Sequence, residues 1–159
     1  MDKNLVSVII PLYNTEEFVE EAVRSIMCQT LREIEIIVIN DGSTDNSLSI
    51  IKRLADEDKR IRIYTQYNQG PSVTRNKGYE YTQGKYVYFM DSDDYLEPEA
   101  LETCYIKCER QALDFVFFDA DILNKEKHKN ISLNHEVPKP RSHQWMHQKE
   151  PMHDLRHLT

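Results

Sequence analysis

Lys85-Tyr86-Val87-Tyr88-Phe89-Met90-Asp91-Ser92-Asp93-Asp94 is a run of strand-forming apolar residues that stops abruptly in three carboxylates. A near-continuous apolar run reads as a strand buried in a parallel sheet, and its carboxyl end then falls on the edge where open α/β sheets bind ligands. Asp91 and Asp93, at i and i+2 across a sharp turn, can both reach one hard divalent ion and leave its other positions to water and phosphate oxygens, which suits Mg²⁺ or Mn²⁺. The plainer reading is a set of solvated aspartates ahead of a helix, for which Pro98 fits the first helical position.

The same pattern recurs upstream. Residues 5–10, Leu-Val-Ser-Val-Ile-Ile, form a buried-type strand broken by Pro11, with Tyr13 and Asn14 beyond it. A helix is expected to open at Thr15-Glu16-Glu17, with Phe18, Ala22, Val23, Ile26 and Met27 as its apolar stripe, either Asn14 or Thr15 as its cap, and Asn14 and Glu17 at capping-box spacing. Residues 33–40 are a second apolar strand, closed by Asp41-Gly42-Ser43-Thr44-Asp45 and followed by a helix bearing Leu48, Ile51, Leu54 and Ala55. A short strand at 61–64 and a loop through Asn68-Gln69-Gly70-Pro71 lead to a helix over 72–82 that carries Arg75, Asn76 and Lys77.

Downstream of Pro98, Leu101, Cys104, Tyr105 and Cys108 mark the inner face of another helix, and residues 113–118 read as a fifth strand. Strands alternating with helices imply an α/β fold, a mostly parallel central sheet with helices on both faces and right-handed crossovers. One domain is expected over residues 1–121. Residues 122–159 are polar, hold all six histidines and the only Trp, and show no sustained period, which makes them a partial or irregular segment.

Composition bounds the function. At 159 residues and 40% hydrophobic content the chain has room for one substantial core. A net charge of −7 without a Lys/Arg stripe argues against a partner bound through nucleic-acid phosphates. Three cysteines without a second ligand pair argue for packing over zinc. No apolar run approaches the roughly 18 residues of a membrane span, and the first residues lack a signal-like segment, so a cytoplasmic location is expected.

In a parallel sheet the carboxyl ends of all strands share one edge, so Pro11, Tyr13, Asp41, Asp91 and Asp93 are expected to converge. Tyr13 offers a ring to stack on a base, Asp41 an acceptor for a base N–H or ribose hydroxyls, Asp93 a metal ligand, and Arg75 or Lys77 a cation for leftover negative charge. There is neither a Gly-x-Gly-x-x-Gly nor a Gly-x-x-x-x-Gly-Lys-Ser/Thr motif, so phosphates would be held by metal and side chains.

Four ordered blocks, Val8-Ile9-Ile10-Pro11-Leu12-Tyr13-Asn14, Ile37-Val38-Ile39-Asn40-Asp41-Gly42-Ser43-Thr44-Asp45, Gly70 with Arg75-Asn76-Lys77-Gly78, and Gly84 through Asp94, resemble the successive motifs of family 2 glycosyltransferases of the GT-A fold. The resemblance covers roughly residues 4–120. It implies a Rossmann-like GT-A fold, truncated after its donor-binding half, in which Pro11, Tyr13 and Asp41 hold the nucleoside of a UDP-sugar. It further implies that Asp91 and Ser92 lie by the ribose and sugar, that Asp93, with Asp91, coordinates Mn²⁺ or Mg²⁺, and that Arg75 completes the donor site.

The implied chemistry is inverting transfer to a carbohydrate or lipid-linked acceptor hydroxyl, in surface polysaccharide synthesis, by a protein lying at the inner face of the membrane and compatible with an oligomer. The acidic motif that carries the base in this family has no counterpart here; Asp119, Asp121, Glu136, Glu150 and Asp154 are the carboxylates available. Two alternatives stand beside this reading: an Asp-dependent phosphotransfer protein using Asp91, and a catalytically silent nucleotide-binding fragment.

Overall fold

The computed structural model describes residues 5–118 and the backbone of residues 144–148. Among these residues the chain runs β1 (Val6–Leu12), α1 (Val19–Met27), β2 (Ile34–Asn40), α2 (Ser47–Glu57), β3 (Ile61–Thr65), α3 (Pro71–Glu80), β4 (Tyr86–Phe89), α4 (Ala100–Gln111), β5 (Phe115–Phe118) and β6 (Gln144–Gln148). The strands form one sheet in the order β3-β2-β1-β4-β6-β5. β1 pairs in parallel with β2 and β4, and β2 with β3, which gives the expected parallel α/β core.

Alternation along β1 assigns the two faces. Val8, Ile10 and Leu12 pack with Val19, Val23 and Ile26 of α1, Ile51 and Leu54 of α2, and Leu101, Cys104 and Cys108 of α4 in one buried cluster. Ile9 and Ile39 face the other way, towards α3, where a Cβ built on Gly78 would stand 2.4 Å from Ile9 Cγ2. Each fully buried Val or Ile contributes about 1.5–3 kcal/mol relative to exposure, so two covered faces explain why these strands are apolar throughout. Burial pushes the Cys104 thiol up to about 11, and both inner cysteines act as packing groups.

The structure departs from the sequence expectations at the ends of elements. β1 runs through Pro11 to Leu12 instead of breaking there. Leu12 O accepts from Asp41 N (2.8 Å) on the β2 side and Ile9 O accepts from Met90 N (3.0 Å) on the β4 side, so Pro11, two residues after Ile9, presents its donorless nitrogen to β4. The pairing with β4 ends at Ile9 and Phe89, while that with β2 continues to Leu12 and Asn40. The strands therefore part where the proline cannot extend the ladder.

α1 starts at Val19, four residues later than the capping-box pattern predicts. Phe18 N and Val19 N both donate to Thr15 O (3.0 and 2.9 Å), a turn that precedes the helix, and Asn14 adopts a left-handed φ of 50°. Pro98 likewise precedes α4, which begins at Ala100. Residues 144–148, where no periodic pattern predicts an element, form a strand antiparallel to both β4 and β5, so the sheet is parallel over four strands and antiparallel at its end. No helix among the described residues is long and apolar enough to cross a membrane.

Candidate active site

Because the strand order turns back at β1, with β2 on one side and β4 on the other, a crevice opens beyond their carboxyl ends. It encloses about 480 Å³ and is lined by Pro11, Leu12, Tyr13, Asp41, Asn68, Gly70, Pro71, Thr74, Arg75, Asp91, Ser92 and Asp93. All seven residues singled out in the sequence therefore meet at one rim, drawn from four stretches of chain.

Tyr13 is 48% exposed, so its ring is free to take a flat partner from the crevice side. Asp41 is only 3% exposed, and its carboxylate already accepts three hydrogen bonds. Oδ1 receives Gln66 Nε2 (2.8 Å) and Gln69 N (2.9 Å), and Oδ2 receives Gly70 N (2.9 Å). Burial pushes the Asp41 carboxyl up, but the donors from Gln66, Gln69 and Gly70 outweigh it and hold the group below the ordinary aspartate value. One lone-pair direction on Oδ2 is left for a ligand N–H or hydroxyl.

The loop that Asp41 gathers starts α3. Gly70 sits at φ 85°, a left-handed conformation that a side chain rarely adopts, and Pro71 occupies the first helical position. Thr74 Oγ1 donates back to Gly70 O (2.8 Å) and receives Gln66 Nε2 (3.2 Å). The first turn of α3 thus lines the crevice, where its positive dipole end favours an anion. One turn on, Arg75 is ion-paired with Asp91 through Nη2 and Oδ1.

The acidic turn has two outward residues and one inward. Asp94 N donates to Asp91 O (3.1 Å), which closes the turn. Asp91 and Asp93 are exposed, whereas Ser92 is 5% exposed and its Oγ accepts from Thr15 Oγ1 (3.0 Å). Among the described residues no group of three or more His, Cys, Asp or Glu is placed to hold a metal ion. Two aspartates, one of them paired with Arg75, do not form a cage by themselves. They fit an octahedral ion that takes its remaining oxygens from water and a ligand's phosphates.

Leu12, Asn68, Pro71 and Thr74 line the crevice without having been singled out, and Gln66 and Thr15 act behind it. The Gly70-Pro71 pair was the available signal, since a glycine followed by proline marks a helix start next to a sharp turn. The carboxylates at 119, 121, 136, 150 and 154 lie outside the described residues.

Comparison with known proteins bears on this geometry. The model of the family described as Glycosyl transferase family 2 matches residues 7–156. The chain is 44% identical over 118 residues to the uncharacterized glycosyltransferase YibD of Escherichia coli (strain K12), a match spanning 74% of this chain and 34% of that protein. It is 41% identical over 100 residues to the hyaluronan synthase of Pasteurella multocida, covering 63% of this chain and 10% of that one. The crystal structure of S. aureus TarS 1-349 in complex with UDP-GlcNAc superposes with a TM-score of 0.72 at 28% identity, over 79% of this chain and 37% of that one. The chain spans 33–41% of the length of three curated relatives it matches.

Proposed function

The chain belongs to glycosyltransferase family 2, and we propose that it forms the donor-binding part of a metal-dependent, inverting glycosyltransferase that takes a UDP-sugar. The observation that carries this reading is the crevice at the β1/β4 switch point, where an exposed tyrosine, a buried carboxylate with one free acceptor direction, a helix start, an arginine and two exposed aspartates meet. The UDP-GlcNAc bound by the TarS neighbour supports the choice of donor class.

In this reading the base stacks on Tyr13 beside Pro11, and a base N–H donates to the open lone pair of Asp41 Oδ2. The start of α3 and Arg75 face the diphosphate, with Arg75 exchanging its bond to Asp91 for phosphate oxygens. Asp93, with Asp91, would hold Mn²⁺ or Mg²⁺, and such an ion, when bound, stabilises the charge that develops on a departing diphosphate. The acceptor hydroxyl attacks the anomeric carbon from the opposite side and its proton passes to a carboxylate outside the described residues.

The acceptor we propose is a carbohydrate or lipid-linked saccharide of a polysaccharide pathway, in line with the name of the Pasteurella multocida relative, at the cytoplasmic face of a membrane. Family membership speaks against phosphotransfer through Asp91, which is engaged by Arg75. The test is thermal unfolding with UDP and Mn²⁺ together. At a hundredfold excess over the dissociation constant, stabilisation of about 2.7 kcal/mol is expected for the unaltered chain and much less for Asp93→Asn. No shift, or the same shift in both, contradicts the reading. A chain that binds UDP but neither hydrolyses nor transfers a sugar is a silent nucleotide-binding unit.

A further inference from the structure

Ser92 is the inward residue of the acidic turn, and what it meets there is a hydroxyl from the loop after β1. Thr15 Oγ1 donates to Ser92 Oγ (3.0 Å) across 77 positions of sequence. Thr15 is itself fixed, because its N–H donates to Ser47 Oγ (2.9 Å), and Ser47 is fully buried with its own N–H on Asp45 Oδ1 (3.0 Å). Next to it, Asn14 holds a left-handed φ, and its Oδ1 accepts from Thr44 N (2.8 Å). Side-chain hydrogen bonds thus run from the loop after β2, through the loop after β1, to the turn after β4. Left-handed backbone at a non-glycine residue persists when its surroundings fix it, and here they fix the loop that carries Tyr13 and Thr15.

Resting on the donor-binding reading above, we propose that Thr15 is a positioning residue: by anchoring Ser92 it holds Asp91 and Asp93 outward and in register for a divalent ion bound together with a diphosphate. Thr15 touches neither ion nor nucleotide. A turn whose one buried residue is pinned presents its two exposed carboxylates in a fixed geometry, and Mg²⁺-like ions demand near-ideal octahedral positions. Without the bond, the nucleoside contacts of Tyr13 and Asp41 remain while the aspartates must be ordered at the moment of metal binding.

The experiment uses the full chain and three variants, Thr15→Val, Thr15→Ser and Ser92→Ala. Free Mn²⁺ is titrated by electron paramagnetic resonance at saturating UDP, UDP affinity is measured without metal, and exchange of the Asp94 amide is followed in the ligand-free protein. Thr15→Val, isosteric but without the hydroxyl, is expected to weaken Mn²⁺ binding about five- to tenfold and to speed Asp94 exchange by about the same factor, with metal-free UDP affinity unchanged. Thr15→Ser should restore both values, Ser92→Ala should reproduce the loss, and the Thr15→Val/Ser92→Ala double variant should add little to it. Equal behaviour of Thr15→Val and Thr15→Ser, additive losses, or a parallel fall in metal-free UDP affinity would overturn the proposal. If the unaltered chain fails to bind UDP with Mn²⁺, the donor-binding reading falls, and the Asp94 exchange still decides whether Thr15 holds the turn.

Discussion

Arg75 is ion-paired with Asp91 across the crevice that both residues line, 16 positions apart in sequence. The pair joins α3 to the end of β4, and it keeps a cation and an anion where a diphosphate and its metal would each claim one of them. Its side chains are 33% and 52% exposed, so the pair itself contributes only about 0–1 kcal/mol to stability. Arg75→Ala is therefore expected to leave the melting temperature nearly unchanged while weakening UDP binding about tenfold, which calorimetric titration beside a thermal melt will check. A large loss of stability with unchanged affinity would assign Arg75 to the scaffold.

α3 reaches the crevice because it lies close against β1 at Gly78. An alanine Cβ there would stand 2.4 Å from Cγ2 of Ile9, a fully buried, β-branched residue with no room to withdraw. Gly78→Ala would gain up to about 1 kcal/mol in helix propensity. It is expected to lose more, about 1–3 kcal/mol, to overpacking, giving a lower midpoint in urea at unchanged slope.

At the opposite edge of the sheet, buried Glu35 joins β1, β2, β3 and the start of β4. Oε1 accepts from Ser7 Oγ, Gln83 N (2.5 Å) and Gly84 N (3.1 Å), and Oε2 meets Arg62 Nη2, which also donates to Tyr81 O (2.9 Å). Glu35→Ala would leave Ser7 Oγ and Gln83 N without this acceptor and the Arg62 guanidinium without its counter-charge, while Gly84 N keeps Ser7 Oγ (2.8 Å), and is expected to destabilise the fold by about 2–4 kcal/mol in denaturant melts. Loss of under 0.5 kcal/mol would show that water replaces the carboxylate.

The sequence made the strands and their charged ends readable for one physical reason. A sheet covered on both faces demands unbroken apolar runs such as Ile36-Ile37-Val38-Ile39, and side chains that must meet solvent or ligand can appear only where those runs stop, at Asp41 and at Asp91. What remained hidden depends on partners distant in sequence. Pro11 looks like a strand breaker until the β4 ladder is seen to end beside it. Asn14 looks like the cap of its own helix, but its side chain serves the Thr44 amide 30 positions away. Residues 144–148 have no period that marks a strand, and their pairing is decided by the unpaired edges of β4 and β5. The inward bond of Ser92 has no local signature, because Asp-Ser-Asp is compatible with either direction of the serine.

Asp41 links the site to acid stability. Its folded-state carboxyl titrates below the ordinary value of 3.8, so the stability it contributes is fully present above about pH 4 and is lost as pH falls through the folded value. Asp45, where burial pushes the carboxyl up but the Ser47 and Glu16 donors outweigh it, and Asp58, held low by Arg60 against the cost of burial, act in the same direction. Asp41→Asn is expected to cost about 1–3 kcal/mol at neutral pH and to flatten the fall in stability between about pH 4 and pH 2, measured by urea melts across that range. An unchanged slope would mean that the three loop donors do not prefer the charged form.

Residues from separate strand ends line one crevice, and in the proposed function a divalent ion holds a diphosphate between them. A crystal of the chain soaked with UDP and Mn²⁺ and measured for anomalous scattering tests it most directly. The expected result is a manganese peak about 2.0–2.2 Å from a carboxylate oxygen of Asp93, with the uracil on Tyr13 and its N–H directed at Asp41. Nucleotide bound away from that rim, or a nucleotide in place with no metal at Asp93, would contradict it.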